Sequence, residues 1–225
     1  MGKLIIMEGL DGSGKSTQTD LLEKYIVQNN IEYKKIKLPD YDSPSSILVN
    51  MYLGGEFGTD ASDVNAYAAS AFYAVDRFAS FKLNWKEDYE NGKLILADRY
   101  ATSNLIYQTE KIDENKWDEY IEWSEDFEYN KIGIPRPDLV IFLDMPVEIS
   151  QRLMTSRYKG DENKKDVHEA NVAFLNACRK SALYAAKKQG WAIVECSDGE
   201  NPLPIDEIHN KIVQIVEKEL NNAWI

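Results

Sequence analysis

The run Gly9-Leu10-Asp11-Gly12-Ser13-Gly14-Lys15-Ser16 satisfies the pattern GxxxxGK[ST] at every fixed position, and no other stretch limits the fold so tightly. Such a loop needs a buried strand before it and a helix after it. Leu4 to Met7 is a short apolar run suited to the strand. From Thr17 to Gln28, the residues Leu21, Leu22, Tyr25 and Ile26 fall on one helical face. The glycines let backbone N–H groups curl around a phosphate, and the helix start adds partial positive charge. Gly9, Leu10, Asp11, Gly12, Ser13, Gly14, Lys15, Ser16 and Thr17 are therefore expected to bind the phosphates of a nucleotide. Lys15 supplies a full charge for the β- and γ-phosphates, and the Ser16 hydroxyl suits Mg²⁺.

Beyond the loop, strand-like and helix-like runs alternate, which implies a parallel sheet covered on both faces. Further strands are expected at Tyr33–Leu38, Lys93–Ala97, Leu139–Leu143 and Trp191–Cys196. Long helices are expected from Asp60 to about Trp85, from Asp166 to Gln189 and from Pro204 to Asn221. Shorter ones are expected from Ser43 to Gly54, Tyr100 to Thr109, Glu114 to about Tyr129 and after Pro146. The reading is α/β: a three-layer P-loop kinase fold with a five-stranded parallel sheet, as one domain over 1–225 with a short lid at about 152–166.

The net charge of −12 argues against a nucleic-acid backbone or an anionic membrane as the main partner. Basic residues must then be concentrated at the phosphate site. Cys178 and Cys196 lack metal-type spacing and point to free thiols in a reducing, cytoplasmic setting. No signal peptide or membrane-spanning run is expected.

Asp98-Arg99-Tyr100 closes an apolar strand, and ligands in open parallel sheets sit at carboxyl strand ends. Asp98 can hold Mg²⁺ there, and Arg99 can grip a phosphate with its planar fork. Asp144 also ends a strand and is a rival metal carboxylate, or simply a helix-start carboxylate ahead of Pro146. Tyr73 and Arg77 share a helical face, suited either to a nucleobase or to the core. Ser103, Asn104, Tyr107 and Gln108 lie close behind the strand end, where they line a base or sugar pocket or are simply solvated. Arg152, Arg157, Lys159, Lys164 and Lys165 form a basic stretch that is either a lid over the donor phosphates or a solvated loop. The acidic segment Asp113 to Glu128 is expected to be a solvated helix face with no chemistry.

In combination these motifs resemble the thymidylate kinase family of P-loop nucleoside monophosphate kinases, from residue 3 to about residue 185. Met7 to Thr17 is similar to the family's opening, and Tyr73-Ala74-Val75-Asp76-Arg77 to its Phe-Ala-Ala-Asp-Arg motif. Asp98-Arg99-Tyr100 with Ser103 and Tyr107-Gln108, then Pro137-Asp138-Leu139 through Leu143-Asp144, continue the likeness in order. The resemblance implies transfer of the γ-phosphoryl group of Mg-ATP to thymidine monophosphate, with ATP and Mg²⁺ required, in a homodimer. It implies that Asp11 contacts the sugar 3′-hydroxyl, Tyr73 stacks on thymine and Arg77 hydrogen-bonds the base. Arg99 is implied to hold the acceptor phosphate, with Lys15, Asp98 and a lid arginine, Arg157 or else Arg152, completing the catalytic set. Ser103, Asn104 and Gln108 would line the base edge, with Tyr107 beneath the deoxyribose. The chain departs from the family after the second strand, where Leu38-Pro39-Asp40-Tyr41 has no nearby Arg. In the lid helix, Asp166-Val167-His168-Glu169 likewise lacks one.

Two other readings stand beside it. One is a kinase for another nucleotide or deoxynucleoside acceptor, the other a non-catalytic ATP-binding regulator. A GTPase is set aside because the Asn-Lys pairs, Asn115-Lys116, Asn130-Lys131, Asn163-Lys164 and Asn210-Lys211, are read as lacking the Asp two residues on that a guanine-recognising Asn-Lys-x-Asp needs. For the homodimer, the helix carrying Ala66, Ala68, Ala69, Ala71 and Ala74 is expected to permit close approach of a second copy.

Overall fold

The computed structural model describes residues 1–58, 60–157 and 172–223. Five strands, β1 (Leu4–Gly9), β2 (Tyr33–Lys37), β3 (Leu94–Asp98), β4 (Leu139–Asp144) and β5 (Ala192–Glu195), form one sheet in the order β2-β3-β1-β4-β5. Every pairing is parallel, with β1 at the centre, where Ile5 sits opposite Leu139 and Met7 opposite Asp98. β1, β3 and β4 are near-continuous apolar runs, as strands covered on both faces must be.

Alternation along β1 decides which layer each side chain joins. Ile5 and Met7 pack with Leu22 and Ile26 of α1 (Lys15–Gln28) and with Ile208, Ile212 and Val216 of the closing helix (Ile205–Ala223). Leu4 and Ile6 point to the opposite face, against Phe81, Trp85 and Tyr100. The helices between β2 and β4 are α2 (Ile47–Leu53), α3 (Ala66–Ser80), α4 (Lys86–Glu90), α5 (Thr102–Tyr107) and α6 (Trp117–Glu125). α7 (Val147–Arg157), α8 (Val172–Gln189) and the closing helix, α9, complete the layers.

The long helix expected from Asp60 to Trp85 is divided. Asp60 caps a short 3₁₀ turn at Ala61–Asp63, and Asn65 caps α3 by accepting from Ala68 N–H at 2.9 Å. After Ser80 the chain loosens into a π-helical turn, Phe81–Trp85, which brings both aromatics onto the core. The acidic helix is likewise shorter than expected, giving way to a π-helical segment, Asp126–Ile132, that ends at Gly133. Its inward face holds Trp117, Tyr120, Ile121 and, beyond the α-helix, Glu128. The segment is thus not simply a solvated face. Of the alanines on α3, Ala66, Ala69 and Ala74 are buried by the chain's own packing. The outward face instead shows Val75, Phe78 and, just past the helix, Leu83.

Leu22 is fully buried between β1 and α9. Leu22→Ala is expected to cost about 2–5 kcal/mol, read as a lower urea midpoint at unchanged slope.

Candidate active site

β1 delivers the loop from the middle of the sheet. Gly14 adopts φ 90° to cap α1, a conformation that disfavours any side chain. Gly12 has φ 76°, and a Cβ there would lie 2.8 Å from Met154 Cγ and 2.9 Å from the Ser150 carbonyl oxygen. α7 therefore rests directly on the loop at Gly12. Lys15 opens α1 with its ammonium turned back, donating to the carbonyls of Gly9 at 2.8 Å and Leu10 at 2.9 Å.

β3 delivers the second half. Arg99 sits just past its end with φ 69°, an unusual conformation for a residue with a side chain. Its Nη2 donates to Asp11 Oδ1 at 2.5 Å and to Tyr107 Oη at 3.1 Å, and Tyr107 Oη donates to Asp11 Oδ2 at 3.3 Å. Beneath this turn lies Glu8, fully buried. It accepts from Tyr100 N–H at 3.2 Å, Thr102 Oγ1 at 2.7 Å and Ser103 Oγ at 2.9 Å.

These charges shift one another. Burial lowers the pKa of Lys15 to about 8, with the neighbouring Arg99 pushing the same way and Asp11, Asp98 and Glu8 opposing. For Asp11, burial pushes upward, but Arg99 and Lys15 outweigh it and its pKa lies below the usual value. Burial holds Glu8 above the usual carboxylate range, although Arg99, Thr102 and Ser103 pull it down.

A cavity of about 260 Å³ opens between the two halves. Asp11, Gly12, Gly14, Lys15, Ser16, Tyr73, Arg77, Asp98, Arg99, Ser103, Asn104, Tyr107 and Gln108 all line it, so most of the sequence-predicted site converges on one space. Gly9, Leu10, Ser13 and Thr17 belong to the loop but not to the cavity wall. Ser16 and Asp98 bring two hard oxygen donors to the cavity, and the Asp98 carboxylate accepts no hydrogen bond from the described residues. That donor set suits a Mg²⁺ ion that keeps several waters.

Other expectations resolve differently. Asp144 is held by Arg179 through two bonds, at 2.7 and 2.9 Å, which makes it a structural carboxylate and not a rival metal ligand. Arg152 bonds the Glu200 carbonyl in the loop after β5, at a separate shallow cavity shared with Glu148 and Asn201. Arg157 ends α7, and its side chain, with most of the expected lid through 166, lies outside the described residues. The spacing Asn-Lys-x-Asp does occur, at Asn115-Lys116-Trp117-Asp118 and at Asn163-Lys164-Lys165-Asp166, contrary to the sequence reading. The first opens α6, and its Asp118 pairs with Lys188 and accepts from Tyr184, both at 2.7 Å, away from the cavity. The second lies outside the described residues.

Sequence reasoning missed Lys37, Leu38, Pro39, Tyr41, Tyr52, Leu53, Tyr100 and Phe174, which also line the cavity. Those around the end of β2 could have been found from the rule that ligands sit at carboxyl strand ends. Glu8 had a signal too, as a carboxylate inside a buried apolar strand. Glu128 had none. It accepts from Arg77 Nε at 3.2 Å, from Arg77 Nη2 and from Asn104 Nδ2 at 3.2 Å. Asp76 anchors the β2 loop, accepting from Asp40 N–H at 3.0 Å and Ser45 Oγ at 2.6 Å.

Comparison with known proteins gives a consistent answer. The family model described as thymidylate kinase matches residues 7–212. A probable thymidylate kinase of Pyrococcus horikoshii is 30% identical, the alignment covering 97% of this chain and 98% of that one. The thymidylate kinase of Plasmodium falciparum is 27% identical over 99% of this chain and 96% of that one. The solved thymidylate kinase of Candida albicans, described as broad in substrate specificity, superposes with a TM-score of 0.71 at 25% identity, covering 98% of this chain and 93% of that one.

The Lys15 environment has a measurable consequence. The unfolded chain keeps the Lys15 proton to about pH 10.5, whereas the folded chain releases it near 8. Between those values unfolding takes up a proton, so this residue makes stability rise with pH. Lys15→Met is expected to flatten that rise relative to the parent protein, checked by denaturant melts from pH 7 to 10.

Proposed function

The chain belongs to the thymidylate kinase family, and from that premise we propose how its residues divide the work. The reaction is ATP-dependent phosphorylation of dTMP to dTDP. The observation that carries the division of labour is the convergence of loop, strand end and α3 on one cavity.

Donor phosphates lie in the loop from Gly9 to Thr17, with backbone N–H groups and Lys15 facing them. Lys15 exchanges its carbonyl partners for phosphate oxygens, whose negative charge favours its protonated form. Ser16 and Asp98 would hold Mg²⁺, which would supply charge neutralisation on the donor phosphates. Arg99 grips the acceptor phosphate, and Asp11 meets the sugar 3′-hydroxyl above Tyr107. Tyr73 lies against the base face, while Arg77, Ser103, Asn104 and Gln108 meet its edge. The acceptor phosphate is itself the nucleophile and needs no strong general base. Rate comes from alignment and from charge neutralisation around a loose transition state. Arg157 is the first candidate for a lid arginine. Arg152 is the weaker one, because it is tied to the Glu200 carbonyl.

We also propose a homodimer through the outward face of α3, supported by the exposed Val75, Phe78 and Leu83. The setting we propose is the cytoplasm. Both cysteines are free and buried, and among the described residues no helix is long and apolar enough to cross a membrane.

A coupled ADP-release assay with a panel of nucleoside monophosphates and deoxynucleosides tests the assignment, and release should be greatest with dTMP. Arg99→Ala is expected to lower kcat by at least about 100-fold with ATP binding retained. Near-parental activity would remove Arg99 from the mechanism. Leu83→Asp with Val75→Asp is expected to give a monomer mass by light scattering where the parent gives a dimer.

A further inference from the structure

Glu128 is a buried carboxylate that the phosphoryl transfer does not use. It sits in the π-helical segment after α6, behind the cavity wall and not on it. Its donors come from two residues that do line the cavity, Arg77 and Asn104, each only 3% exposed. A carboxylate offers acceptors alone, so it takes the NH₂ branch of the Asn104 amide and rejects the carbonyl branch. Asn104 Oδ1 is thereby left as the free branch and accepts no hydrogen bond from the described residues. Gln108 Oε1, on the same wall, is buried with no partner. Arg77 gives Nε and Nη2 to Glu128 and keeps Nη1 in reserve.

The wall thus presents carbonyl acceptors from Asn104 and Gln108 beside a guanidinium donor. The Asn104 acceptor beside the Arg77 donor complements half of an imide edge, a ring N–H next to a carbonyl oxygen, as in thymine, whose single N–H leaves Gln108 outside the match. A cytosine edge, with a bare ring nitrogen and an amino group, would set lone pair against lone pair at Asn104. We propose that Glu128 is the positioning residue for base selectivity, locking Asn104 and Arg77 so that the cavity takes a pyrimidine imide edge and refuses an amidine edge. This rests on the reading that Arg77 and Asn104 meet the acceptor base. Glutamine at 128 could offer its own NH₂ group, and the Asn104 amide would then be free to turn.

The test is the ratio of kcat/KM for dTMP to that for dCMP in the full-length protein. Glu128→Gln is expected to lower this ratio by at least about tenfold, the worth of one mis-set hydrogen bond, with KM for ATP within about twofold of the parent. A folded variant with the parental ratio overturns the proposal. If thermal melts show that Glu128→Gln does not fold, Asn104→Leu decides by the same ratio, since it removes the oriented acceptor directly. A parent protein that does not prefer dTMP to dCMP defeats the base reading itself. A preference that survives Glu128→Gln defeats the role of Glu128 alone, and one that survives Asn104→Leu defeats the acceptor role of Asn104 and the proposal with it.

Discussion

Glu8 ties the two halves of the site together. It is the penultimate residue of the central strand, and its carboxylate reaches under the neighbouring strand end to hold Tyr100 N–H, Thr102 and Ser103. A fully buried carboxylate is costly unless its oxygens are satisfied, and here three groups satisfy them. Those bonds fix the turn after β3, and that turn holds Arg99 at positive φ. Strain of this kind, on the order of 1–3 kcal/mol, persists only when the surroundings over-determine the backbone. The phosphate loop and the arginine that faces it are therefore set by one side chain between them.

Charge is then concentrated against the balance of the whole chain. The protein carries a net charge of −12, yet Lys15 and Arg99 crowd into one cavity with Asp11 between them. Arg99 and Lys15 each disfavour the other, and Asp11 moderates both. An arriving phosphate can take over that moderating role in a site of low dielectric, where the interaction is worth more than in water.

Behind the wall, a second row of residues holds the first. Asp76 secures the loop after β2, Glu128 secures Arg77 and Asn104, and Lys111 donates to Tyr52 Oη at 2.7 Å. Burial lowers the pKa of Lys111 to about 8, so its bonds to Tyr52 and to the Val64 carbonyl offset a real desolvation cost. Site geometry is only as sharp as this supporting row. Its members come from distant parts of the chain. Glu128 lies 51 residues from Arg77 and 24 from Asn104.

Residues close in sequence were legible because local spacing controls them. The loop at Gly9 to Ser16, the apolar strands and the pair Asp98-Arg99 follow from periods of two and 3.6 and from glycine's freedom, with no need of tertiary contacts. The family resemblance and the parallel sheet followed from their order. Where the π-helical turns fall, at Phe81–Trp85 and Asp126–Ile132, was not legible, since packing of Trp85 and Glu128 against other layers decides it. The partners of Asp144, Arg152 and Glu128 were hidden for the same reason: each meets a group 24 or more residues away. Sequence alone therefore determined the chemistry available and the strand ends that carry it. Only the tertiary structure decided which charges are neutralised inside the protein and which face the cavity, because that depends on contacts between layers and not on neighbours along the chain.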